Sequence, residues 1–470
     1  MIGLTCYGWI AAAAASPTVE RSDTHGTHTV VREQVAMEFS LTQPTKSEKT
    51  SNDLMAGDDA IATLRLRDTK TGQPLTGLHP RAWMALRRSE MVANETACAD
   101  KVKSFLGGTL AARADIDLNS YLMLVLNHDQ TISVINPQIA MSRTKLESMI
   151  QLPGTGADWV LSRDKNSLYV TLPDQSSVAV VNTVTRSVLN VLATGGQGRP
   201  RRIALQPDGR FAWVGLDEAP LVTVIDTVTN SLVATLPVGN GLHQISFTTD
   251  GRFVLITNSA DHTATLFTTN QREKIAEISL GHTPVAAAYS SASHLFYVSA
   301  LNGNEIGVID PEQRRIVAGI PTPSGVVGLR FEPSGQFGLA VNQLNHTVSV
   351  FDSNSNTMIA STTVVREPYE VGFTPQYAYV RGLASEKLSL IELSELRKGR
   401  LVTAEVPVGQ SAPNTLPDEI GVADMMVPAP EGHGMLVANA PDRTIYYYMK
   451  VRDGAHGPSQ TQRAACALPP

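Results

Sequence analysis

The sequence predicts an all-β chain: an eight-bladed β-propeller, with seven blades as the alternative, behind a small N-terminal β-sandwich-like module. Three observations predict it. The stretch PDGRFAWVGLDEAPLVTVIDT at 207–227 is answered forty-two positions later by TDGRFVLITNSADHTATLFT. The end of each unit's third strand recurs at Asn136, Asn182, Asp226, Thr268, Asp310, Asp352 and Glu392, at intervals of 46, 44, 42, 42, 42 and 40 residues. Between these marks the chain holds short apolar or alternating runs split by glycine-bearing turns, the pattern of strands. Units of this length made of strands alone indicate propeller blades, because one four-stranded sheet cannot bury both of its faces and must stack on its neighbours.

The elements follow in order. Residues 1–16 open an apolar stretch, MIGLTCYGWIAAAAASP, of signal-peptide length and ending in small residues, without the usual leading lysine or arginine. It reads as a secretory signal, the alternative being a frayed alanine-rich tail. The alternating runs VAMEFSL and AIATLRLRDTKTGQPLTG mark a small β module over 33–90. ETACADKVKSFLGGTLAAR then spaces its apolar residues helically and stops at Gly107-Gly108, a linker helix within 91–118. From 119 to 450 the repeat takes over. IALQ, ISFT, AAAY and GLRF are innermost strands, and PDGR, TDGR and PSGQ are tight turns whose glycine supplies positive φ. FAWVG, FVLITN, LFYVSA and FGLAVN are second strands. An eighth third strand, IYYYM, ends at Met449, and 451–470 shows no strand pattern.

Composition bounds the function. With 470 residues, 42% hydrophobic, and 38 basic against 44 acidic side chains, the chain is an ordered globular one with a formal charge of -6. That charge gives no field able to hold nucleic acid, so partners are small molecules or proteins. No stretch reaches the length of a membrane span beyond the N-terminal one. Cys6, Cys98 and Cys466 form no C-x-x-C, which removes covalent c-type haem attachment and a paired-cysteine zinc knuckle; Cys98 and Cys466 either pair or stand as free thiols. No G-x-S-x-G, H-E-x-x-H or Walker phosphate loop occurs.

The phrase IDTVTNSLVATLPVG at 225–239, with GRFVLITN at 251–258, resembles the YVTN β-propeller repeats and especially the cytochrome d1 haem-domain-like bacterial proteins, over residues 118–450. WD40 repeats are a poorer match, since no Trp-Asp dipeptide closes a unit. The resemblance implies a fold first; the residues that carry it are structural.

Chemistry is sought where equivalent positions of the repeat differ. Aligned at the start of the innermost strands stand Asp158, Arg201, His243, Val285, Val327, Tyr369 and Asp424. In a ring these share one height at the channel mouth, giving a polar arc and an apolar one, a seat for a flat ligand with a charged edge. Arg199 and Arg202 flank Arg201, and their planar forks suit carboxylates. His243, in VGNGLHQIS, is similar to the segment of the d1 domain that carries an axial histidine. The resemblance therefore implies a haem d1-like cofactor with His243 on the iron. The plainer reading is a histidine satisfied by local hydrogen bonds. The expected function is that of an extracytoplasmic binding protein, periplasmic or secreted, which holds a haem d1-like ligand or is accessory to redox proteins and binds rather than catalyses. One alternative is a lactonase-type hydrolase using Asp158, Asp424, Arg201 and His243, and another is a protein-interaction scaffold with an empty channel.

Overall fold

The computed structural model describes residues 27–32, 34–42, 61–75, 83–84, 116–117, 122–127, 129–136, 146–195, 198–383, 385–408, 426–428, 434–439, 444–450 and 461–467. The chain divides into two compact units, 1–121 and 122–470. In the first, Thr27–Arg32, Val35–Thr42 and Ile61–Asp68 form one antiparallel sheet, and Trp83–Met84 pairs with Ile116–Asp117. The expected signal stretch, the body of the linker helix and Asp424 lie outside the described residues, as does Cys98. The end of the expected helix, Ile116–Asp117, is strand.

The second unit is a β-propeller. A three-stranded sheet over 123–151 is followed by seven four-stranded antiparallel sheets over 159–193, 199–237, 245–279, 284–321, 326–363, 368–407 and 426–467. They are called the first to eighth sheets below. Within each, strand order follows chain order, and from the second sheet on each innermost strand touches the next sheet's innermost strand. Residues 451–470, patternless in sequence, supply Thr461–Ala467, the outer strand of the eighth sheet, paired in register from Thr444↔Ala467 to Lys450↔Thr461. An outer strand pairs through its backbone along one edge only, so it needs no periodic apolar face to be recruited.

The core is a set of layers between sheets. Second and third strands are buried along most of their length, as in Phe253–Asn258 and Phe337–Asn342, whereas the outer strand Thr357–Thr363 alternates exposed and half-buried residues. Tyr169 and Val178 of the second sheet pack with Val214 and Leu216 of the third. Ile306 and Val308 of the fifth pack with Leu329 and Ala340 of the sixth. Each buried aliphatic side chain stabilises by about 1.5–3 kcal/mol relative to exposure, and none of this burial is available to a lone sheet.

The recurrent acidic or amide residue that ends each third strand makes a turn. Asn182, Asp226, Asp310 and Asp352 each accept, through Oδ1, the main-chain N–H groups two and three residues ahead. At the next residue the chain goes left-handed, at Arg186, Asn230, Arg314 and Asn356. Asparagine tolerates this conformation better than arginine. The two asparagines carry a second duty. Tyr297 Oη of the fifth sheet donates to Asn356 Oδ1 of the sixth at 2.6 Å, and Tyr169 Oη of the second donates to Asn230 Oδ1 of the third. Where the second strand carries Trp213 or Leu255 instead of tyrosine, the next sheet's left-handed residue is Arg272 or Arg314. The tyrosine and asparagine therefore occur as pairs within one sequence, locking neighbouring sheets.

The six sheets from 123–151 to 326–363 share a further irregularity. On each outer strand one residue stands outside the pairing register: Glu147, Leu189, Val233, Ile275, Val317 and Ile359. Such a bulge bends a strand that would otherwise offer a straight unpaired edge.

Replacing Tyr297 by Phe should cost about 1 kcal/mol, the net worth of one buried hydrogen bond. Urea unfolding should show a lower midpoint with an unchanged slope. In combination with Asn356→Gly the losses should fall short of additive.

Candidate functional site

The innermost strands show why the repeat positions differ. Arg201, Val285, Val327 and Tyr369 are each the extra residue of a bulge against the second strand, so these four are structurally equivalent. His243 matches them, preceding the short strand Ile245–Phe247. Asp158 does not. Its carbonyl accepts the N–H of Thr171 as that of Gln244 accepts the N–H of Thr257. Asp158 therefore shares a level with Gln244 and Arg202, one residue away from the alignment drawn from the apolar pattern. The bulges shift the count by one, and apolar spacing does not register a bulge.

Asp158 works as a staple between the second and third sheets. Its Oδ1 accepts the N–H of Trp159 at 2.8 Å, its Oδ2 accepts the N–H of Ile203 at 3.1 Å, and Arg202 Nη1 lies 3.6 Å from the same oxygen. Arg199 turns outward to Asp174 at 2.5 Å and Glu218 at 3.9 Å. Arg201 turns to Asp217, Nε to Oδ2 at 3.2 Å, with the two side chains only 14% and 5% exposed. Tyr369 belongs to the seventh sheet, half-buried, away from this cluster. Its carbonyl lies 2.7 Å from where a Cβ on Gly328 would stand, so only glycine lets the two innermost strands approach there.

His243 is fully buried. Its Nδ1 lies 2.9 Å from the carbonyl of Thr257 and its Nε2 3.4 Å from that of Ala219, in the neighbouring sheet. The ring stands over Gly215, whose Cβ, if present, would meet the histidine Cβ at 2.8 Å. Burial lowers its pKa, opposed by the carbonyls of Thr257 and Ala219. An axial iron ligand must direct a nitrogen lone pair at open space beside a macrocycle. Both nitrogens of His243 face protein carbonyls, so the residues at this point do not fit haem ligation. Of the four residues of the hydrolase constellation, Asp158 contacts Arg202, Arg201 contacts Asp217 and the His243 imidazole faces the carbonyls of Thr257 and Ala219, while Asp424 lies outside the described residues. Among the described residues no group of histidine, cysteine, aspartate and glutamate is arranged to hold a metal, and no helix is long and apolar enough to cross a membrane.

Two charged features were not read from the sequence. Asp217 is buried, and neither carboxylate oxygen makes a well-formed side-chain hydrogen bond. Burial raises its pKa to about 7, against the opposing pull of Arg201, the His243 main-chain N–H and Arg202. The signal was available: the equivalent positions are Pro173, Ser259, Leu301, Gln343 and Leu383. In the seventh sheet, Glu370 and Arg381 stand opposite one another in register, both buried. Arg381 occupies the level held elsewhere by Thr171, Gly215, Thr257, Ser299 and Val341. Between the fourth and fifth sheets a cleft of about 70 Å³ is lined by Leu242, Gln244, Pro284, Val285 and Leu301, the apolar continuation of the polar arc.

The arrangement defines a class before it defines an activity: a β-propeller with buried charged side chains in some of its sheets, Asp217 and Asp226 in the third, Glu332 in the sixth and Glu370 and Arg381 in the seventh. No family model matches the chain, and no curated protein does. Among solved structures it is similar to hydrazine synthase of Kuenenia stuttgartiensis, at 17% identity and a TM-score of 0.48 over 67% of this chain and 100% of that one.

The raised pKa of Asp217 has a sign. Between about pH 4 and 7 the folded carboxyl holds a proton that the unfolded one, near 3.8, has released. Stability from this group is therefore present in acid and is lost as pH rises through 7, on the order of a few kcal/mol. Asp217→Asn should flatten that part of the stability profile, measured by urea unfolding at pH 5 and 8. Gly215→Ala, which drives a methyl into His243, should destabilise by about 1–3 kcal/mol.

Proposed function

We propose that this chain is an extracytoplasmic, non-enzymatic β-propeller binding protein, akin to the YVTN repeat proteins, that receives a small ligand at the channel mouth beside its third sheet. One observation carries the reading. At the levels where the third sheet has Arg201 and Arg202 and the seventh has Glu370, the fifth and sixth sheets have Val285, Ala286, Val327 and Gly328. The repeat thus builds a propeller sheet at these levels without charge. Buried ion pairs seldom stabilise a fold more than apolar residues of similar volume, and ionisable groups perturbed by burial gather at binding sites. The charged levels are therefore retained for a ligand, and the arginines select one with a carboxylate, phosphate or sulfate group. The secretory character of the N-terminal stretch supports a location outside the cytoplasm, and the Asx-turn phrase that ends the third strands supports the kinship.

A thermal-shift screen of small carboxylates, phosphates and sulfates tests this on the full chain. At least one should raise the melting temperature by a few degrees, with the shift lost in Arg202→Ala. A screen without any stabilising anion, together with native mass spectra showing no retained small molecule, overturns the reading.

A further inference from the structure

Arg201 and Asp217 form a pair that differs from the Arg202–Asp158 pair beside it. Arg202 is held by a carboxylate whose two oxygens also bind main-chain N–H groups, so Asp158 has a structural role whatever Arg202 does. Asp217 is more weakly compensated: it is buried, its oxygens lack well-formed side-chain hydrogen bonds, it meets one main-chain donor, the His243 N–H, and its ion-pair contact is Arg201 Nε at 3.2 Å. Arg201 is the bulged residue of its strand, and a bulge re-aims its side chain out of the sheet's ordinary alternation. Its side chain keeps 14% of its surface exposed.

From this geometry we propose that Arg201 is a proton-coupled receptor for a small oxyanion: the anion takes the guanidinium from Asp217, and Asp217 takes up a proton as its counter-charge leaves. The inference rests on the binding role proposed above and names its ligand class and its control.

The surroundings of Asp217 permit the exchange. On its own sheet it faces Arg201 and Arg202, the latter engaged by Asp158 of the second sheet; Glu218 follows it in the chain and lies near Arg199, which is held by Asp174. From the fourth sheet it meets His243 through the main-chain N–H alone, since that imidazole is turned to the carbonyls of Thr257 and Ala219. Among the described residues the other cation acting on Asp217 is Arg202, which Asp158 holds. A buried carboxyl already poised near neutrality by desolvation accepts the proton at little cost. Anion binding then scales with the protonated fraction of Asp217, which falls about tenfold from pH 6 to pH 8 for a group titrating near 7.

The test is calorimetric titration of sulfate, whose charge is constant over this range, into the full chain. Apparent affinity should be about tenfold higher at pH 6 than at pH 8. At pH 7, runs in two buffers of different ionisation heat should show uptake of roughly half a proton per anion. Asp217→Asn should bind sulfate equally at both pH values, and Arg201→Gln should lose binding. Wild-type affinity that ignores pH, or an Arg201→Gln chain that binds as tightly as wild type, overturns the coupling. Should the thermal-shift screen find an anion held through Arg202 while sulfate shows no proton uptake, the coupling fails and the binding role stands. Should no anion bind at either pH, both fail.

Discussion

The constraint on which everything else depends is that a four-stranded sheet with two apolar faces has nowhere to put them. Each sheet between 159 and 407 carries buried residues on both faces of its middle strands, and the hydrophobic layers join side chains from adjacent sheets. Stacking is therefore the folding event, and a ring is the arrangement that leaves the fewest faces wet. Once stacking is enforced, the innermost strands are brought side by side. Residues of one sheet are brought against those of the next, which is how Arg202 comes to Asp158, forty-four positions before it, and His243 to Gly215, twenty-eight positions before it.

The same constraint makes charge near the axis informative. A repeat supplies its own controls, because the same level of the same strand is occupied several times over under nearly the same packing. Where valine, alanine and glycine serve in two sheets, an arginine or a glutamate in another is an addition to the fold's needs. Some of that addition is structural: Asp158 joins two sheets through main-chain donors. Asp217 meets a single main-chain donor, the N–H of His243, and leans on Arg201 for the rest, which is why the proposed binding chemistry centres on that pair.

The fold was legible in the sequence because its signals are local and repeated. The third-strand endings read as IDT or FDS are Asx turns, and their spacing is the spacing of the sheets. The equivalence of Arg201, His243, Val285, Val327 and Tyr369 was legible for the same reason. Asp158 was misaligned by one, since apolar spacing does not report a bulge. His243 was read as a ligand candidate on resemblance; the structure instead seats it over Gly215, and only the pairing of a histidine in one sheet with a glycine in the preceding one could have hinted at that contact. Asp217 and Arg381 are not marked by the starts of the first strands, because they lie towards the ends of the second. The outer strand Thr461–Ala467 was illegible in principle, being recruited through backbone along one edge.

The displaced residue on six successive rims has a consequence for the life of the molecule among its neighbours. A foreign β-segment approaching any of these perimeters would keep step for only a few residues before the main chain swerves and the match is lost. These six rims thus resist templated growth and strand exchange with a foreign strand.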